Sequence, residues 1–229
     1  HDKLKAAIAA LSPQPIKFLI NTHHHGDHTG GNAAFSSDGV TIVAHANVRN
    51  RLAAGTTSNV TGIKTAPAPA GALPSKTHTD GLAVEVKGRT AQLKHPLNAH
   101  TDGDTYVYFA DANVLSTGDT VTMNRYPNID FLNGGNIKGM IAASNAYLAL
   151  ANDNTKIVPG HGPLINKAQL AEFRALLVTA RDRMAKLIAE GKSADDIYAA
   201  KPFADFDAKW APNEQIGKNF MRVVYFSLK

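Results

Sequence analysis

The chain has 229 residues, 44% of them apolar, with 24 Lys and Arg against 19 Asp and Glu and no cysteine. That length supports one well-filled core, and no apolar run approaches the roughly 20 residues needed to cross a bilayer. Without cysteine there is neither a disulfide framework nor a thiolate metal ligand, and the +5 charge is scattered along the chain rather than gathered into blocks, which argues against a nucleic-acid partner.

The first residue is His1 rather than Met, with no charged-then-apolar leader after it. This suits a processed, cleaved or partial chain, of the kind found in a periplasmic or secreted protein. Leu4, Ala7, Ile8 and Leu11 recur at helical spacing, so a short helix is expected over Asp2 to Leu11, broken by Ser12-Pro13-Gln14-Pro15. Ile16 to Ile20 reads as a strand, Thr29 to Phe35 as the first turns of a helix, Val40 to Ala44 as a strand and Ala46 to Ala54 as a helix. Thr56 to Thr79 carries three prolines and no period, and reads as a long irregular connection that borders a binding site.

Strand patterns resume at Leu82 to Val86, Ala91 to Leu93, Thr105 to Phe109 and Asn113 to Thr117. Ile137, Met140, Ile141, Ser144, Tyr147 and Leu148 share a helical face behind Asn136 as N-cap. Lys156-Ile157-Val158 is a short strand, Lys167 to Glu190 a long helix, and Ser193 caps a shorter one. Strands alternating with helices indicate a layered α/β protein.

At the end of the first strand, His23-His24-His25-Gly26-Asp27-His28 packs four histidines and an aspartate into six residues. Such a cluster reads as a metal site. It is internal and mixed with Asp27, unlike an expression tag. In extended backbone His23 and His25 project the same way and can hold one ion, whereas His24 points elsewhere and drops out. Asp27 and His28 follow the turn at Gly26 and suit a second ion. Further candidates sit at strand ends: His100 before a strand, Asp119 at the end of Leu115 to Asp119, and His161 after Lys156 to Val158. Ligands from separate strand ends converge on one rim of a sheet. Asp102 or Asp104 is expected to accept a hydrogen bond from a ligand imidazole. Asn124, Arg125, Tyr126 and Asn133 lie where a substrate can reach the metals. His1, His45, His78 and His95 read as ordinary surface or loop residues.

The pattern His23-x-His25-x-Asp27-His28, with His100, Asp119 and His161 later, resembles the metallo-β-lactamase superfamily from Ile16 to about Gly162. The resemblance implies a four-layer αββα sandwich in a single domain, with a metal-binding core over residues 16–162 and a helical part over 163–229. It implies a first metal on His23, His25 and His100, a second on Asp27, His28 and His161, and Asp119 bridging both. The cofactors would be two zinc ions, with iron or manganese as alternatives.

The expected activity is hydrolysis of an ester, thioester, lactone or amide of a small molecule by a metal-bridging hydroxide that Asp27 orients, since zinc lowers the pKa of bound water towards about 7. Dedicated β-lactamases of the family place cysteine or serine where Asp119 stands, whereas thioesterases of the glyoxalase II kind and lactonases place aspartate. Rival readings are a β-lactamase-like amidase, a mononuclear iron persulfide dioxygenase and a non-catalytic metal-holding module. Family members usually carry several strands ahead of the first histidines, and only 22 residues precede His23 here. Those strands are then cleaved, omitted or supplied by another chain, and an unpaired sheet edge invites homo-oligomerisation or pairing with the missing segment.

Overall fold

The computed structural model describes all residues from His1 to Lys229. Helix α1 (Asp2–Leu11) leads into β1 (Phe18–Ile20), which pairs in parallel with β2 (Thr41–His45). Between them lie two short helices, α2 (Gly26–Thr29) and α3 (Asn32–Ser37), where one helix was expected, divided at Gly30 and Gly31. Helix α4 (Ala46–Ala54) follows β2, capped by the His45 ring, which accepts from the Asn47 amide.

The Thr56 to Thr79 stretch is more ordered than its composition indicates. It forms the hairpin β3 (Thr56–Thr57) and β4 (Lys64–Thr65), a 3-10 turn, and then β5 (Lys76–His78), the third parallel strand beside β2. Lys76-Thr77-His78 has no apolar alternation to announce a strand, and its extended state comes from pairing with β2.

The second sheet has five strands in the order β10-β9-β8-β7-β6, comprising β6 (Gly81–Val86), β7 (Arg89–Lys94), β8 (Tyr106–Phe109), β9 (Val114–Thr122) and β10 (Lys156–His161). All its pairs are antiparallel except β9 with β10. Strand β9 runs three residues past Asp119, so this residue lies within a strand rather than at its end. Gly118 there has φ +54, a conformation open to glycine, and a Cβ would run into the Thr22 side chain. The β9–β10 register shifts opposite this point, at Val158 and Pro159.

The four layers follow from the two-residue period of strands. In β2, Val43 meets Val84, Leu93 and Val107 of the larger sheet, while its neighbour Ile42 faces Phe35 of α3. In β1, Phe18 and Ile20 join the inter-sheet cluster and Leu19 joins the outer one. In β8, Val107 and Phe109 face the smaller sheet, whereas Tyr106 and Tyr108 turn to the main core of 28 buried residues.

That main core lies between the larger sheet and the helices α5 (Ile137–Leu150), α6 (Lys167–Ala189), α7 (Ala194–Ala200), α8 (Ala204–Trp210) and α9 (Glu214–Leu228). Asn136 caps α5, and Asn166 with Gln169 forms a reciprocal capping box on α6. The result is the expected helix–sheet–sheet–helix sandwich. No helix is long and apolar enough to cross a membrane.

Candidate metal centre

The seven residues singled out in the sequence arrive from five places on one rim. His23 and His25 lie in the loop after β1, Asp27 and His28 on α2, His100 before β8, Asp119 within β9 and His161 at the end of β10. The loop after β1 is held from behind by Asn21 and Asn32, whose buried side-chain amides exchange two hydrogen bonds of 2.9 Å.

The first group is His23, His25 and His100. Nδ1 of His25 lies 3.1 Å from Nε2 of His23 and 3.1 Å from Nε2 of His100. The outer ring atoms settle which nitrogens carry protons. His100 Nδ1 is 2.9 Å from the Asn128 carbonyl, which only accepts, so Nδ1 holds the proton and Nε2 a lone pair. His25 Nε2 is 2.9 Å from Asp130 Oδ2, so it donates and Nδ1 holds a lone pair. Two lone pairs therefore face each other at 3.1 Å. With both rings neutral they repel unless a proton or a metal ion lies between them, and three converging ring nitrogens fit a transition-metal ion. Burial, followed by the neighbouring imidazoles of His100 and His25, pushes His23 well below the usual histidine range and keeps it neutral, as ligation requires.

The second group is Asp27, His28 and His161. His161 Nε2 lies 3.1 Å from Asp27 Oδ2, and His28 Nε2 lies 3.4 Å from the same oxygen. Asp119 sits between the groups: Oδ1 is 3.1 Å from His28 Nε2, and Oδ2 is 3.4 Å from His161 Nε2 and 3.9 Å from His100 Nε2. His28 Nε2 and Asp119 Oδ1 are both buried and pair with each other as charges at 3.1 Å, with no hydrogen bond from either atom to another group. Burial alone would raise the Asp119 carboxyl, but His28, His100 and His161 outweigh it and hold it at about 2. Close packing shapes this spot too, because a Cβ at Gly160 would collide with Asp119 Oδ1.

Several expectations need correction. Neither Asp102 nor Asp104 touches a ligand imidazole. Asp104 accepts the backbone amides of His100 and Thr101 at 2.7 and 2.9 Å and the Thr101 hydroxyl at 2.6 Å, which sets the His100 loop. Asp102 pairs with Arg51. The carboxylate behind one of the candidate imidazoles, His25, is Asp130, which has no periodic or motif signal in one sequence.

His45 and His78 are buried rather than surface residues. They form a second histidine group with His95, whose ring stacks on His45 at 4.0 Å. Tyr126 stacks on Phe220 and donates to Asp207, and Asn133 is buried behind Asp130, yet each also lines a cavity beside the centre. Asn124 and Arg125 remain exposed.

Two cavities adjoin the centre. One of about 730 Å³ is bounded by His24, His25, Arg51, Asn59 and Asp130 together with the Thr65–Pro69 stretch, so the proline-bearing connection does border the site. A smaller one of about 200 Å³ reaches Asp119 and is walled by Arg125, Asn128 and Asn219.

The family model for the metallo-beta-lactamase superfamily matches residues 2–161, a span that ends on His161. The chain belongs to that superfamily. It is similar to a hydroxyacylglutathione hydrolase from Polaromonas sp., 28% identical over 180 residues that cover 76% of this chain and 59% of the relative. It is also similar to the 2,4-dinitroanisole O-demethylase subunit alpha of Nocardioides sp., 29% identical over 195 residues, 83% of this chain and 54% of that protein. The chain thus spans little more than half the length of these curated relatives. Among solved structures, a metallo-beta-lactamase from Pontibacter korlensis superposes with a TM-score of 0.62 at 22% identity, covering 77% of this chain and 76% of that one. This likeness speaks to the fold.

Proposed function

We propose that this protein is a metal-dependent hydrolase that holds two divalent ions and cleaves an ester, thioester, lactone or amide of a small molecule. One observation carries the reading: the lone pairs of His25 and His100 oppose each other at 3.1 Å, with Asp119 between that trio and a second one. His23, His25 and His100 would hold the first ion, Asp27, His28 and His161 the second, and Asp119 both. When bound, such ions lower the pKa of a water and polarise a carbonyl.

The chain's own groups supply the rest. Asp27 has the most open side chain of the set, 58% exposed against 10% for Asp119. It faces solvent beside His28 and His161, where it would orient the attacking water and accept its proton. The two cavities, one reaching His25 and the other Asp119, leave room for a small substrate beside the candidate ligands. An aspartate at position 119, and the hydroxyacylglutathione hydrolase named among the relatives, favour a thioester or ester over a β-lactam.

The test is metal content followed by turnover. Protein loaded with zinc is expected to bind close to two equivalents and to hydrolyse members of a panel of thioesters, esters, lactones and β-lactams, with Asp119→Ala inactive. About one iron per chain, with oxygen consumed and no hydrolysis, would overturn the reading in favour of a dioxygenase.

A further inference from the structure

Among the three histidines of the first trio, only His25 has a carboxylate behind it. His23 Nδ1 meets the Thr22 hydroxyl at 3.1 Å and His100 Nδ1 meets a backbone carbonyl, whereas His25 Nε2 meets Asp130, which is fully buried. We infer that Asp130 is the positioning residue that locks His25 into its metal-binding tautomer, and that Arg51 holds it to that task through Asn133.

The hydrogen-bond logic leaves one arrangement. Arg51 has donors only, and it reaches Asn133 Oδ1 at 2.7 Å, so that atom is the amide oxygen. The Asn133 Nδ2 group must then donate, and its two hydrogens have two acceptors: Asp130 Oδ2 at 2.7 Å and the Thr57 carbonyl at 3.1 Å. Asp130 Oδ2 is therefore an acceptor twice over, from Asn133 and from His25. His25 keeps its proton on Nε2, and its Nδ1 lone pair is turned into the trio.

Arg51 is itself clamped by Asp102, with Nε on one oxygen at 2.7 Å and Nη2 on the other at 2.6 Å. The ring of His25 is thus oriented from four residues away, by a chain that ends in a bidentate ion pair. The same direction of donation excludes the opposite tautomer of His25, because Asp130 could not then receive a proton from it. Outer carboxylates of this kind typically change metal affinity or activity 10–100-fold.

This inference rests on the reading of His25 as a metal ligand, and its test reads metal rather than turnover. Zinc affinity is measured by chelator competition for wild type, Asp130→Ala, Asp130→Asn and Arg51→Met, with thermal unfolding of the metal-free proteins as a check on folding. Asp130→Ala is expected to weaken one of the two zinc equivalents 10–100-fold and leave the other near wild type. Asp130→Asn can still accept from His25, and should weaken the same equivalent less. Arg51→Met, which frees the Asn133 amide to turn, should weaken it in the same direction.

In cobalt-loaded protein, the shifted exchangeable proton of the His25 ring should vanish in Asp130→Ala and persist in Asp130→Asn. Loss of that signal is not expected from a residue that merely braces the loop. A folded Asp130→Ala protein with unchanged affinity at both sites, or with equal loss at both, overturns the inference. Should Asp130→Ala fail to fold, unchanged affinity in folded Arg51→Met overturns it. Wild-type protein that binds no zinc would instead bring down the metal-centre reading beneath it.

Discussion

Asp119 places Oδ1 3.1 Å from His28 Nε2 without forming an aligned hydrogen bond, although both atoms are buried. A buried ion pair whose two atoms have no further hydrogen-bond partner keeps much of its desolvation cost, and the cost is offset if both bind a third group. Asp119→Ala should therefore release the second metal and loosen the first. Metal analysis of the dialysed variant is expected to fall from about two equivalents to one or fewer, and turnover should fall by more than about 100-fold, beyond the range for outer-sphere partners. Two retained equivalents would remove Asp119 from the centre.

Gly160 lies against the same carboxylate. A methyl group there meets Asp119 Oδ1 and, at 2.7 Å, the Asp119 amide nitrogen. Backbone and carboxylate would have to part. Gly160→Ala should cost about 1–3 kcal/mol, as overpacking generally does, and should reduce binding of the second metal. Thermal unfolding and metal content of the variant check both effects, and a wild-type melting temperature would contradict the packing argument.

The second histidine group bears on pH. His78 is buried, and burial, then the rings of His45 and His95, push its imidazole down to about 4, with Asp80 acting weakly the other way. Its one hydrogen-bond contact is the Thr105 hydroxyl at 3.2 Å. In the unfolded chain the ring takes a proton below about 6.5, whereas in the fold it resists doing so until about 4. Protons therefore favour unfolding across that interval. Stability should decline as pH falls from 6.5 to 4, by at most about 1.4 kcal/mol per unit from this residue. His78→Gln should show a shallower decline over the same interval in denaturant titrations. An identical slope in both proteins would exclude His78 as a source.

Phe173 on α6 is fully buried in a core that also contains Leu115 and Ile157 of the larger sheet. Phe173→Ala should cost about 3–5 kcal/mol through lost burial and a cavity. Because helices and sheet share that core, circular dichroism and near-ultraviolet signals should report one transition in wild type and variant alike. Separate transitions for the C-terminal helices and the metal-binding part would contradict this.

Much of the centre was legible in one dimension. The spacing of His23, His25, Asp27 and His28 is local, and local geometry of a strand end and a turn decides where such residues point. His100, Asp119 and His161 could be picked out because each adjoins an apolar run. Element type was readable wherever burial on one face imposes a period, as on α5 and α6. It was not readable at Lys76 to His78, which is a strand because β2 supplies its partner. Nor could composition tell that His45 and His78 are buried, since the walls around them come from other strands.

The sequence by itself determined the alternation of strands and helices and the order of the seven His and Asp candidates, because periodicity and the chemistry of His and Asp act over a few residues; the four-layer arrangement was implied only by the family resemblance that those residues carry. Only the tertiary structure decided how those side chains are held. Asp130 reaches His25 across 105 positions of chain, and Gly160 meets Asp119 because β10 lies beside β9. Which nitrogen carries a proton depends on the acceptor that folding brings to the far side of the ring, and no spacing within one sequence encodes that acceptor.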